Sequence, residues 1–283
     1  MQNTNPFVHY DRIVIHTPHA GTILPFHHQV VRSHGTSPIA KERTELIRPY
    51  FEQLTDHYTD KLFSYVAQIP NEMKQDPKYP CIQQVSFPFS RLFCDVERLK
   101  DDPLEQIGLG IHYDLKKLAG IEGIFWHYDK EEALKMYNQH NDRLASIICP
   151  QCGLPLKLSL LLDCHSFSER DNILCPNAHE FKDIDICLGF NEDETKPSER
   201  FIESIHNFFT RHGYRVAYNF PFSNSKTIYY DESLYPDKPH YHSLMIEVNK
   251  HCYMNEDTFK INEGYYLLHK QLQQLYESLL MFR

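Results

Sequence analysis

Short β-branched or leucine-rich runs alternate along this chain with longer stretches of helical spacing, and several of the short runs end directly in turn-forming residues. Arg12 to His16 (R-I-V-I-H) reads as a strand, and Thr17-Pro18-His19-Ala20-Gly21 reads as the turn that closes it. A second strand carries Leu158, Leu160 and Leu162 into Asp163-Cys164-His165-Ser166, and a third, Ile184 to Leu188, ends at Gly189-Phe190. Tyr214 to Tyr218 and Leu244 to Val248 read as further strands. Between them, Glu42 to Ser64 has helical apolar spacing, with Pro49 expected to kink it or mark a new start and with Asp56 and Asp60 on one helical face. Ser198 to His212 carries an amphipathic stripe (Phe201, Ile202, Ile205, Phe208, Phe209), and Gly213 sits where a left-handed C-cap belongs. Met254 to Met281 reads as a mostly helical C-terminus.

This alternation predicts an α/β fold, a mostly parallel mixed sheet with helices on both faces. No repeat or Gly/Ser-rich linker divides the chain, so residues 1–283 read as one domain. In such sheets ligands collect beyond the carboxyl ends of the strands, where His19 and His165 both fall. Zinc needs imidazole and carboxylate ligands converging from separate segments, with one position open for water. His19 and His165 meet the first part of that need. Asp56, Asp60, Asp95 and Asp163 compete for the third place, and Asp163, two positions before His165, suits either the ion or the orientation of the ligating histidine.

Glu247 lies inside the otherwise apolar run Leu244 to Asn249. A buried carboxylate there needs a partner, an ion or a function, whereas a half-exposed edge strand would leave it wet. Arg91 and Arg98 either hold a substrate carboxylate in bidentate fashion or form surface ion pairs with Glu97 or Asp95.

The formal net charge of -9 disfavours a nucleic-acid or anionic membrane partner. The longest apolar stretch, Leu158 to Leu162, is too short to span a bilayer, and Met1 to Asp11 does not read as a secretory signal. Eight cysteines in 283 residues are too dilute for a disulfide scaffold, and Cys149-x-x-Cys152 reads as a tight loop with Pro150 and Gly153. The expectation is a cytoplasmic protein acting on a small molecule, with no oligomeric state specified.

Taken in order, six segments resemble the N-formylglutamate amidohydrolase family. They are Pro18-His19-Ala20-Gly21 with Pro25 following, Asp56 to Leu62, Ser90 to Arg98, Asp163 to Ser166, Asn219 to Ser223, and Met245 to Lys250 with Tyr253-Met254. The resemblance implies a zinc-carboxypeptidase-like fold and hydrolysis of an N-formyl or N-acyl amino acid with Zn2+ or another divalent ion. It implies His19, Asp56 and His165 as metal ligands and Glu247 as the catalytic carboxylate, with Arg91 and Arg98 near the substrate's acidic groups. Asn219, Ser223 and Asn249 would touch substrate, and Asp163 would orient a ligand. Thr22 stands where zinc carboxypeptidases place a glutamate, so the carboxylate ligand comes from elsewhere. Asn224-Ser225-Lys226-Thr227, with a polar insert through Asp237, replaces a glycine-rich stretch that family members often show. The alternatives are a metal- or ligand-binding module of this fold without turnover, and a hydrolase of a small peptide or another amide.

Overall fold

The computed structural model describes residues 10–24, 38–66, 80–122, 127–149, 158–170, 173–174, 178–229, 233 and 240–281; Pro25, Cys152 and residues 230–232 and 234–237 of the insert lie outside them. Six strands form the main sheet: β1 (Arg12–Thr17), β2 (Cys81–Ser86), β3 (Ser159–Phe167), β4 (Ile186–Gly189), β5 (Val216–Tyr218) and β6 (Tyr241–Asn249). Their spatial order is β2-β1-β3-β6-β4-β5. All neighbours pair in parallel except β4 and β6, giving the expected mostly parallel mixed sheet.

Every residue of β3 is buried, because both faces of the sheet are covered. Alternate side chains go to opposite cores. Ile13, Ile15, Leu160, Leu162 and Cys164 join Phe201, Ile205 and Phe209 of α5 (Glu199–Arg211) and Leu268, Leu272 and Tyr276 of α6 (Glu263–Met281). Val14, Val85 and Leu161 pack on Leu144, Ala145 and Ile148 of α4 (His127–Ile148), the helix that follows the short α3 (Leu115–Ala119), on the other side. Each such fully buried aliphatic or phenyl side chain contributes about 1.5–3 kcal/mol. At the start of α5 the Ser198 hydroxyl accepts from Phe201 N–H (3.3 Å), and Gly213 beyond its end has φ +91°.

Three expectations are corrected. First, the helical spacing from Glu42 to Ser64 is interrupted: α1 (Pro38–Leu54) runs through Pro49, and a break precedes the short α2 (Thr59–Leu62). Asp56 sits in that break, not on a face shared with Asp60. Its N–H donates to His19 O (3.0 Å), and Tyr58 takes a left-handed φ of 66°. A tertiary hydrogen bond has overridden the helical period. Second, β3 continues past Asp163 to Phe167, so His165 lies within the strand. Third, the C-terminal stretch is helical only from Glu263, after a small hairpin of β7 (Met254–Asn255) and β8 (Lys260–Ile261). No described helix is long and apolar enough to cross a membrane.

Candidate metal centre and active site

Adjacent parallel strands β1, β3 and β6 bring His19, His165 and Glu247 to one end of the sheet. His19 lies two residues beyond β1, in a turn laced to its neighbour by Ile23 N–H to Pro88 O (3.2 Å) and Ser90 N–H to Ile23 O (2.8 Å). That lacing brings the backbone of Gly21 so close that a Cβ there would stand 2.4 Å from Phe89 O and 2.5 Å from Phe87 O. Glycine is therefore required two residues after the histidine. The Asp56 N–H bond to His19 O then draws the α1–α2 break over the same spot.

The result is a triangle of ligand-type atoms on three buried side chains. His19 Nδ1 is 3.1 Å from His165 Nδ1; Asp56 Oδ2 is 3.3 Å from His165 Nδ1 and 3.6 Å from His19 Nδ1. On the far side of each ring, Nε2 faces a carboxylate: Asp95 Oδ1 at 2.9 Å for His19 and Asp163 Oδ1 at 3.1 Å for His165. A carboxylate accepts, so each Nε2 carries the proton, and each neutral ring is left with a lone pair at Nδ1. Two lone pairs and a carboxylate oxygen facing one another call for positive charge between them. Burial opposes a charge on His165, yet Asp163 and Asp56 override it and hold its pKa well above the ordinary imidazole range, so a proton at Nδ1 and a cation in the triangle compete for one lone pair. Burial likewise opposes ionisation of Asp56, but His165 and His19 beside it keep its carboxyl far below its usual value.

A divalent ion fits this donor set. Tetrahedral ligands bonded to zinc at about 2.0–2.2 Å stand about 3.3–3.6 Å apart, close to the edges of the triangle. Imidazoles whose other nitrogen donates to a carboxylate are the usual form of metal-ligating histidine. Among the described residues two further groupings of ligand-type side chains occur. In one, Asp185 near His251 and Cys252 already has the Arg215 guanidinium at 2.8 Å as its counter-charge. The other, His16 with Glu97 and Asp163, stands directly behind the triangle.

Asp95 is a hub. Besides His19 it accepts from Arg91 Nη2 (2.8 Å), Arg98 Nε (3.2 Å), Tyr113 Oη (2.8 Å) and Glu97 N–H (3.0 Å). Burial works against its charge, but Arg91 leads a set of cations that keeps it ionised. The ion pairs of Arg91 and Arg98 with Asp95 are thus buried, and both arginines still line the cavity in front of the triangle.

Glu247 is buried on central β6, with His165 and Cys187 as register partners on either side. Its Oε2 has no hydrogen-bond partner among the described residues. Burial pushes the carboxyl up to about 8, His165 working against that rise and Asp56 adding to it. His19, Asp56, His165 and Glu247 all line one cavity of about 600 Å³, within the range of about 300–1,000 Å³ usual for small-molecule sites.

A family model described as N-formylglutamate amidohydrolase matches residues 11–254. The chain belongs to the N-formylglutamate amidohydrolase family. The crystal structure of N-formylglutamate amidohydrolase from Ralstonia eutropha JMP134 shares the fold at a TM-score of 0.51 and 18% identity, covering 96% of this chain and 95% of that one. A gene product of Agrobacterium tumefaciens does so at a TM-score of 0.52 and 16% identity, covering 98% and 91%. No curated protein sequence matches the chain.

The remaining motif residues of this N-formylglutamate amidohydrolase family member divide by position. Ser223 lines the cavity, while Asn219 and Asn249 are absent from its described lining. Asn219 Oδ1 accepts from Phe190 N–H (2.9 Å), and Asn249 Nδ2 donates to Ile184 O (3.0 Å), so both brace backbone. Two lining residues carried no role in the sequence: Lys226 and Lys250, both buried, donate from Nζ to Val96 O (2.7 Å) and Gln53 O (2.8 Å). A lysine in a polar loop or after a strand reads as solvated, and only the three-dimensional packing shows otherwise.

Proposed function

We propose that this chain is a zinc-dependent hydrolase that removes the N-formyl or a related N-acyl group from an amino acid by adding water across the amide bond. The observation that carries this reading is the triangle of His19 Nδ1, Asp56 Oδ2 and His165 Nδ1 with the Glu247 carboxylate beside it in one cavity. Zinc bound by those three atoms supplies Lewis acidity toward the amide carbonyl and toward water, whose pKa such a site lowers from 15.7 towards roughly 7.

The protein groups do the rest. Glu247 Oε2, buried and without a hydrogen-bond partner among the described residues, takes the proton that the attacking water loses and delivers it to the leaving nitrogen, so the amine departs neutral. Asp95 and Asp163 hold His19 and His165 in the tautomer that presents Nδ1. Arg98, anchored through Nε to Asp95, turns its outer N–H groups to the substrate carboxylate, and Arg91 fixes the anchor. His19, Asp56, His165, Asp95, Asp163 and Glu247 are all buried, which strengthens each of these interactions.

The test joins elemental analysis of the purified chain with an assay on a panel of N-formyl and N-acyl amino acids. Near-stoichiometric zinc and release of formate or another acid support the reading. Bound zinc with no hydrolysis across the panel favours a binding module of the same fold, and a chain that takes up no divalent ion rules the mechanism out.

A further inference from the structure

The two histidines of the triangle are braced unequally. Behind His19, Asp95 is held by two guanidinium groups and a phenol. Behind His165, Asp163 is held by Lys226 N–H at Oδ2 (3.1 Å) and by a third histidine, His16, whose Nδ1 lies 2.9 Å from Oδ1. His16 Nε2 in turn lies 2.8 Å from Nε2 of His140 on α4. His16, Asp163 and His140 are 0%, 1% and 6% exposed. Neither His16 nor His140 is among the lining residues of the cavity, and the hydrolysis described above uses neither.

The protons along this chain of side chains are determined by its ends. Asp163 accepts, so His16 carries a proton at Nδ1. Glu97 Oε1 lies 3.3 Å from the same nitrogen, but a single N–H goes to the nearer oxygen, that of Asp163. A neutral His16 accepts at Nε2 from His140 Nε2–H, and a cationic one donates there; either way the two facing nitrogens share one proton. Burial pushes the His140 pKa down to about 2, so His140 stays neutral in either case. Each bond in the series His140, His16, Asp163, His165 thus restrains the ring or carboxylate that follows, and the series ends on the His165 Nδ1 that faces the triangle.

We propose that His16 and His140 are positioning residues for the metal ligand His165, extending its support from Asp163 through the sheet to α4. This rests on the zinc site proposed above. The arrangement gives the two ligands different supports: His19 leans on an aspartate held by permanent cations, His165 on an aspartate held by a relay of two further imidazoles.

Competition of the full-length chain against a chelator of known zinc affinity tests the relay, together with ring nitrogen NMR of His165. His16→Val removes both bonds, whereas His16→Asn keeps an amide donor near the position of Nδ1. His140→Leu and His140→Gln form the same pair one step further out. We expect His16→Val to weaken zinc binding by about 10- to 100-fold, the usual cost of losing an outer-shell partner. His16→Asn should recover most of that loss, and the His165 ring should lose its Nε2–H signature only in the valine variant. His140→Leu should weaken binding less, and His140→Gln should restore it; these two also serve if His16→Val does not fold.

Zinc affinity within twofold of wild type in both His16→Val and His140→Leu, with the His165 signature unchanged, overturns the positioning role alone. So does a fall in melting temperature that is equal in the ion-free and zinc-loaded forms, which is what a purely structural role gives. A wild-type chain that takes up no zinc overturns the reading of the site beneath it as well.

Discussion

Glu247 is the direct register partner of His165 across the β3–β6 pair, so the proposed base and a proposed ligand stand side by side on two buried central strands. Glu247→Gln keeps the shape and removes the basic oxygen. It should retain zinc by elemental analysis and lower kcat about a hundred- to ten-thousand-fold, the usual worth of a positioned general base. Thermal stability should hold or rise, because a buried carboxyl oxygen with no hydrogen-bond partner among the described residues is costly. Turnover close to wild type would remove Glu247 from the mechanism.

Arg91 and Arg98 share Asp95 yet should separate experimentally. Arg91 is more deeply buried and gives Asp95 Oδ2 two bonds, from Nε (3.2 Å) and Nη2 (2.8 Å), so Arg91→Ala leaves a buried carboxylate short of its main counter-charge. Breaking such a pair costs about 3–5 kcal/mol, and a large drop in the denaturation midpoint is expected. Arg98 gives one bond and is more exposed, so Arg98→Ala should chiefly raise KM for substrates with a free carboxylate. Equal effects of both variants on KM with no difference in stability would contradict this division.

The strands that place the site were legible because their chemistry is local. The runs around β1, β3 and β6 are apolar enough to be read alone, and turn residues mark the end of β1. Edge strand β2 was not recognised, since C-I-Q-Q-V-S is half-exposed and lacks a clear apolar face. Asp56 was drawn onto a helix by an apolar period that the His19 carbonyl interrupts in three dimensions. His16 passed as an ordinary strand residue because its partner His140 is 124 positions away, and no local pattern joins them.

Acid stability should depend on Asp185. Burial opposes its ionisation, but Arg215 (Nη2 2.8 Å, N–H 2.8 Å) and His251 (3.0 Å) hold its pKa below the ordinary carboxylate value. A folded-state pKa below the unfolded one binds fewer protons in the folded state, so the contribution is fully present above about pH 3.9, the unfolded-state value. It is lost as pH falls through the folded-state value, and stability declines with it. Asp185→Asn should flatten the acid limb of a plot of urea-unfolding free energy against pH while lowering stability at neutral pH. An acid limb as steep as wild type would place the dependence elsewhere.

Two glycines distinguish local strain from damage to the site. Gly213 lies at φ +91° with open space around its would-be Cβ, so Gly213→Ala should lower stability by about 1–2 kcal/mol, the cost of a left-handed conformation. Zinc affinity should not change. Gly21→Ala instead drives a methyl group into the carbonyls of Phe87 and Phe89, backbone that is itself tied to the His19 turn through Ile23 and Ser90. Relief of that clash requires the turn to move, and His19 moves with it. Gly21→Ala should therefore lose both melting temperature and zinc affinity, measured by thermal unfolding and chelator competition. Intact zinc affinity in that variant would mean that the position of His19 is set from elsewhere, with the Asp95 hub the remaining restraint on its ring.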